Sequence, residues 1–141
     1  RDAQESRGLG DVYKRQALLY QITKQKSYLE DAQSIAEACH KHFFTQFTSP
    51  DGQTFQLLKK GNIWFTAVML RGFIELYQID HNKTYLTDFQ KSLDYAWHHA
   101  RDEWGLFQTD WSGTDKNEKK WLLTQAAFIE MYGRLGGIDL Q

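Results

Sequence analysis

An all-α fold of stacked helical hairpins is predicted by three observations. An eleven-residue word returns after 57 positions, two stretches are apolar nearly all round, and two others carry one apolar stripe. LYQITKQKSYL (Leu19 to Leu29) is echoed by LYQIDHNKTYL (Leu76 to Leu86), and the echo continues in Asp31 with Asp88, Gln33 with Gln90 and His42 with His99. A partial third copy pairs Phe73-Ile74-Glu75-Leu76-Tyr77 with Phe128-Ile129-Glu130-Met131-Tyr132. Repeats of this kind are stacked supersecondary units, and common helical repeats run about 33 to 47 residues. The longer period fits two helices and one long connection.

Along the chain, Tyr28 to Phe44 lines up Tyr28, Leu29, Ala32, Ile35, Ala36, Cys39 and Phe43 at helical spacing, which predicts an outer helix. Ser27 and Glu30 form a capping-box pattern at its start. Ile63 to Ile79 is apolar on most of its circumference, as an inner, buried helix must be. After a tight turn in which Thr84 can cap, Tyr85 to Ala100 repeats the outer stripe, and Trp121 to Leu135 repeats the inner pattern. The turns at Lys24 to Ser27 and Asp80 to Thr84 are short, whereas Thr45 to Asn62 and Asp102 to Lys119 are long loops. Both long loops lead into inner helices, so they open on one rim, where a rigid scaffold usually carries binding and chemistry.

The second rim loop sets Trp104, Phe107 and Trp111 among carboxylates and amides. Sugars call for that mixture, because pyranose faces stack on aromatic rings while hydroxyls need oriented polar partners. Trp104 and Phe107 are expected to anchor the loop on the helices, and Asp110 with Trp111 is the candidate ligand-contacting pair. The first rim loop ends in KKGNIWF, which places Lys60, Asn62 and Trp64 at an inner-helix N-terminus, where oxygen-rich ligands are favoured. Their alternatives are a solvated lysine, a capping asparagine and a core tryptophan. Gln125, one turn below the rim, is either a satisfied core amide or a partner for a sugar hydroxyl.

Other chemistries lack support. The 141 residues, 41% hydrophobic and 15% aromatic, suit one globular domain, and apolar runs end well short of the roughly 18 residues of a membrane span. A net charge of −1 offers no footprint for nucleic acid. The single cysteine, Cys39, lies in a helical stripe and reads as a small buried hydrophobe. His40 with His42 and His98 with His99 diverge by about 200° and 100° around a helix, so neither pair chelates, and no metal is called for. The adjacent carboxylates Glu30-Asp31 and Asp102-Glu103 fit ordinary helix ends.

Residues 1 to 16 stand apart. Ser6 to Gln16 reads SRGLGDVYKRQ, which resembles one reading frame of a transposase sequencing adapter. The segment is therefore set aside from fold reasoning as non-native, and the natural gene is expected to extend upstream of Ala17.

GNIWFTAVMLRGFIELY (Gly61 to Tyr77), GLFQTDWSG (Gly105 to Gly113) and WLLTQAAFIEMYGRL (Trp121 to Leu135), in that order, resemble the closing segments of glycoside hydrolase family 76, the endo-acting α-1,6-mannanases. The resemblance covers Ala17 to about Ile138, and implies that residues 17–141 form the C-terminal part of an incomplete (α/α)6 barrel, or toroid. It implies an α-mannan polysaccharide or oligosaccharide as substrate, no cofactor, and a monomer when complete. It also implies a retaining mechanism by two carboxylates about 5 to 5.5 Å apart. In the family an adjacent Asp-Asp pair does this work, and no such pair occurs here. On this reading the chain holds no catalytic residue, and Lys60, Asn62, Trp64, Asp110, Trp111 and Gln125 form part of the substrate cleft. Two other classes share the helical pattern: α/α-barrel sugar epimerases, which rely on inner-face histidines, and non-enzymatic helical binding scaffolds.

Overall fold

The computed structural model describes the backbone of residues 2–140 and the side chains of residues 12–140. Five helices and one hairpin follow in the order α1 (Asp2–Thr23), α2 (Lys26–Phe43), β1 (Phe44–Thr48), β2 (Thr54–Leu58), α3 (Ile63–Asp80), α4 (Thr84–His99) and α5 (Leu122–Gly136). Helix α3 packs between α1 and α5, and α2 and α4 pack behind that row. The inner and outer layers read from the apolar patterns are thus observed.

The sequence repeat is also a repeat of geometry. Lys24 and His81, 57 positions apart, both take left-handed backbone conformations, with φ of 57° and 55°. Each donates its N–H four residues back, to the carbonyls of Tyr20 at 2.8 Å and Tyr77 at 2.9 Å. These closures turn α1 into α2 and α3 into α4 on the rim opposite the long loops. Phe73 and Phe128, equivalent in the partial third copy, are both buried. Behind them Leu86, Phe89, Leu93 and Ala96 complete the core with the inward stripe of α4. The outer helices are pinned to each other by His40 Nε2 and Asp88 Oδ2, 2.7 Å apart.

Four expectations need correction. The chain is not all-α, because the first rim loop holds an antiparallel hairpin with Phe44 opposite Leu58 and Thr48 opposite Thr54. Its residues Phe44, Leu57 and Leu58 are buried, and Ser92 Oγ on α4 accepts the Leu58 N–H at 3.1 Å. A strand pair therefore satisfies backbone groups that a plain loop would leave to solvent. Second, Ser27 and Glu30 make no capping box: α2 begins at Lys26 with Gln25 at its N-cap and no side-chain cap. Third, Thr84 is the first residue of α4, and Asn82 Oδ1 accepts its N–H at 3.1 Å. Fourth, Trp104 is 81% exposed, because Asp102 Oδ1 gathers the N–H groups of Trp104 and Leu106, both at 2.9 Å, into a turn that throws the ring outward.

Helix α1 does not stop at Ala17. It runs continuously from Asp2, and Tyr13 is fully buried on α3, its ring against Gly72 and its hydroxyl donating to the Met69 carbonyl. The side chains of residues 1–11 of the segment set aside above lie outside the described residues.

Candidate functional site

The rim loops meet where α3 and α5 begin. A cavity of about 350 Å³ opens there, lined by Asn62 and Trp64 from α3's start, Phe107, Thr109 and Asn117 from the second loop, and Lys119, Lys120, Trp121 and Gln125 around the start of α5. Three of the six sequence candidates therefore share one cavity: Asn62, Trp64 and Gln125.

Each is held by a specific local cause. Asn62 is the N-cap of α3, with Oδ1 accepting the Trp64 N–H at 3.0 Å, which satisfies one of the free donors of the first turn. Trp64 is half-buried, and the guanidinium of Arg71 lies 5.4 Å from its ring centroid, a cation–π contact one helical stripe along. Gln125 Oε1 accepts the Phe107 N–H at 2.8 Å while its Nε2 donates to the Phe107 carbonyl at 2.9 Å. That double clamp sets Phe107 flat on Phe128, with centroids 4.2 Å apart.

The other three candidates stand around the cavity. Lys60 is exposed, and its Nζ reaches Asp115 Oδ2 at 3.1 Å, tying the first rim loop to the second. Asp110 shapes the second loop: its carboxylate accepts the N–H of Ser112 at 3.0 Å and of Asp115 at 2.8 Å, and the Ser112 hydroxyl at 2.9 Å. Burial would raise its pKa, but those hydrogen bonds and the charge of Lys60 prevail and hold it below the ordinary carboxylate range. Trp111 is fully buried against Phe128, and its Nε1 has no partner among the described residues. Where it stands it offers no ring face to the cavity.

Several cavity residues were not among the sequence candidates, Trp121 and Lys119 foremost. Trp121 is the uncapped N-cap residue of α5 and is 70% exposed. A signal was present: both inner helices are entered through a Lys-Lys pair, Lys59-Lys60 and Lys119-Lys120, followed closely by a tryptophan. Lys120 is drawn back by the Asn117 carbonyl at 2.6 Å and by Asp102 at 3.6 Å. Asp102 titrates low, chiefly because it accepts the Leu106 N–H. The histidines lie on α2 and α4 or, for His81, at the C-cap of α3, away from this cavity. Among the described residues no group of three or more His, Cys, Asp or Glu is arranged to hold a metal ion, and no helix is long and apolar enough to cross a membrane.

The hairpin stack and its elaborated rim are shared with solved carbohydrate-cleaving enzymes. One is a family 76 glycoside hydrolase from a bovine Bacteroides thetaiotaomicron strain, with a TM-score of 0.88 and 42% identity over 92% of this chain and 28% of that one. Another is a family 76 mannosidase from Bacteroides thetaiotaomicron VPI-5482, with a TM-score of 0.85 and 37% identity over 92% of this chain and 36% of that one. The chain belongs to glycoside hydrolase family 76, and it spans about a third of the length of these two structures. No protein-family profile and no curated protein matches the sequence.

Proposed function

We propose that this chain is the C-terminal part of a glycoside hydrolase that cleaves α-1,6-linked mannan. What carries the reading is the 42% identity to a family 76 glycoside hydrolase along 92% of the chain, with a family 76 mannosidase as a second match. The intact parent would work by double displacement, one carboxylate attacking the anomeric carbon and its partner acting first as acid and then as base. Both carboxylates belong to sequence upstream of Ala17, so the chain alone is inactive.

Its own contribution is to one wall of the substrate cleft. Trp64 and Trp121 border the rim cavity as stacking surfaces for pyranose faces. Asn62 and Gln125 hold the cavity's helix start and loop, while Lys60, Asp110 and Trp111 set the loop that closes it. Residues 1–16 are proposed to be foreign to the natural protein.

Recovering the upstream gene tests all of this at once. Its sequence should replace SRGLGDVYKRQ with a native segment and contain an adjacent Asp-Asp pair. The full protein should release mannooligosaccharides of retained anomeric configuration from α-1,6-mannan, and either Asp→Asn change should abolish release. A parent without the pair, or one inert on mannan but active as a sugar epimerase, refutes the assignment.

A further inference from the structure

We propose that the groove between the β1–β2 turn and the C-terminal half of α4 is a second, non-catalytic binding site for a neutral oligosaccharide. The choice of ligand class rests on the glycoside hydrolase reading. The groove itself does not.

Its volume is about 530 Å³, and it lies away from the rim cavity, sharing none of that cavity's residues. The hairpin supplies Asp51 and Gln53 on one side, and α4 supplies Lys91, Asp94, Tyr95 and His98 on the other. Those four helix positions are spaced i, i+3, i+4 and i+7, one face of a helix about 10 Å long at 1.5 Å per residue. The face is therefore a straight polar wall with an aromatic ring at its middle.

That ring is preorganised. Tyr95 stacks on His99 at 4.2 Å between centroids and is buttressed edge-on by Phe47 at 5.2 Å and at a tilt by Phe55 at 5.5 Å. Little ordering remains to be done when a sugar arrives, which favours binding. The polar groups are also unspent. Lys91, Asp94, His98 and the Tyr95 hydroxyl make no hydrogen bond among the described residues, unlike Asn62, Gln125 and Asn117 in the rim cavity, which are committed to backbone. Charges of both signs line the groove, Lys91 with Asp94 and Asp51, so no single-sign field draws an anion or a cation. A neutral polyhydroxylated ligand, with donors and acceptors in equal supply and an apolar face, suits such a wall.

The test is an amide-shift titration of the isotopically labelled full chain with α-1,6-mannotriose, and with a galacturonic acid trimer as anionic control. Saturable shifts are expected at the amides of residues 51–55 and 91–98. The exposed double substitution Asp94→Ala with His98→Ala should weaken them about three- to tenfold at unchanged circular dichroism, and Trp64→Ala should leave them as they are. Silence at these amides, indifference to the double substitution, or equally tight binding of the anionic trimer overturns the proposal. Shifts in the groove without shifts at Trp64 and Trp121 keep the groove and count against the rim reading; the reverse pattern refutes the groove alone.

Discussion

Gln125 holds Phe107 by both ends of its peptide, accepting its N–H at 2.8 Å and donating to its carbonyl at 2.9 Å. A single side chain thus completes the pairing of a loop residue as a neighbouring strand would. Gln125→Ala leaves both backbone groups half-buried without partners, and should cost about 1 to 3 kcal/mol. Amide exchange at Phe107 should rise while the α2–α4 pairing stays protected. Unchanged exchange at Phe107 contradicts the clamp.

Glu130 is gripped by Arg71 through Nε at 2.6 Å and Nη2 at 2.8 Å, and by Arg134 Nε at 2.8 Å. The Arg71 hydrogen bonds dominate and lower its pKa to about 2 against an ordinary 4.5. A depressed carboxylate stabilises the fold above its ordinary pKa, and that contribution is lost as pH falls from about 4.5 to about 2. Because the cluster is partly solvated, the effect is about 1 to 2 kcal/mol after screening. Denaturant unfolding should therefore show stability falling across this window in the parent sequence and a flatter profile in Glu130→Gln.

Gly113 lets the second rim loop cross the end of α4. Its φ is +74°, and a Cβ there would lie 1.8 Å from the His99 carbonyl oxygen. Gly113→Ala must therefore lift the loop, at a cost of about 2 kcal/mol or more. Cavity residues Thr109 and Asn117 would be displaced with it, so the shift should be visible at the Asn117 side-chain amide.

Cys39 is 1% exposed, and desolvation pushes its thiol up to about 11. Relative to the ordinary value of 9.0 this lowers the thiolate fraction at pH 8 about 100-fold. A thiol reagent should label it only through unfolding, with a rate that follows denaturant concentration. Fast labelling of the native chain would exclude the packed α2 described above.

Helix α5 leaves an apolar flank bare, with Trp121, Leu122 and Ile129 at 70%, 84% and 71% exposure. Ile129 is the repeat equivalent of Ile74, which packs against the core. Patches of this kind drive association. The chain should bind a hydrophobic dye and self-associate, and Ile129→Lys should reduce both. A strictly monomeric chain that ignores the dye argues that this flank is covered.

The helices were legible because burial imposes a period on them. The all-round apolar Ile63 to Ile79 and the striped Tyr85 to Ala100 fall within one or two residues of α3 and α4. The hairpin was missed although Pro50-Asp51-Gly52 is a turn signal, Gly52 taking φ of 88°, between two short alternating runs. Five-residue strands give too few alternations to compete with a long-loop reading. For the site, chain order brought Asn62 and Trp64 together, but Gln125's bond to Phe107 spans 18 positions with no pattern to announce it. Trp104 and Trp111 differ in exposure by 81% against 0%, a difference set by Asp102 and Asp110 turns rather than by the tryptophans themselves.

The paired left-handed turns at Lys24 and His81 act as fixed spacers. Connections of two residues in one turn and three in the other, each with a single left-handed residue, leave little slack: adding a residue there would rotate the next helix by about 100° and turn its apolar stripe to water. The opposite rim has no such constraint, since its connections already hold a hairpin in one repeat and an irregular loop in the other. Insertions, tags and grafted binding loops therefore belong at the open rim, and this architecture can acquire new specificities there while its closed rim keeps count.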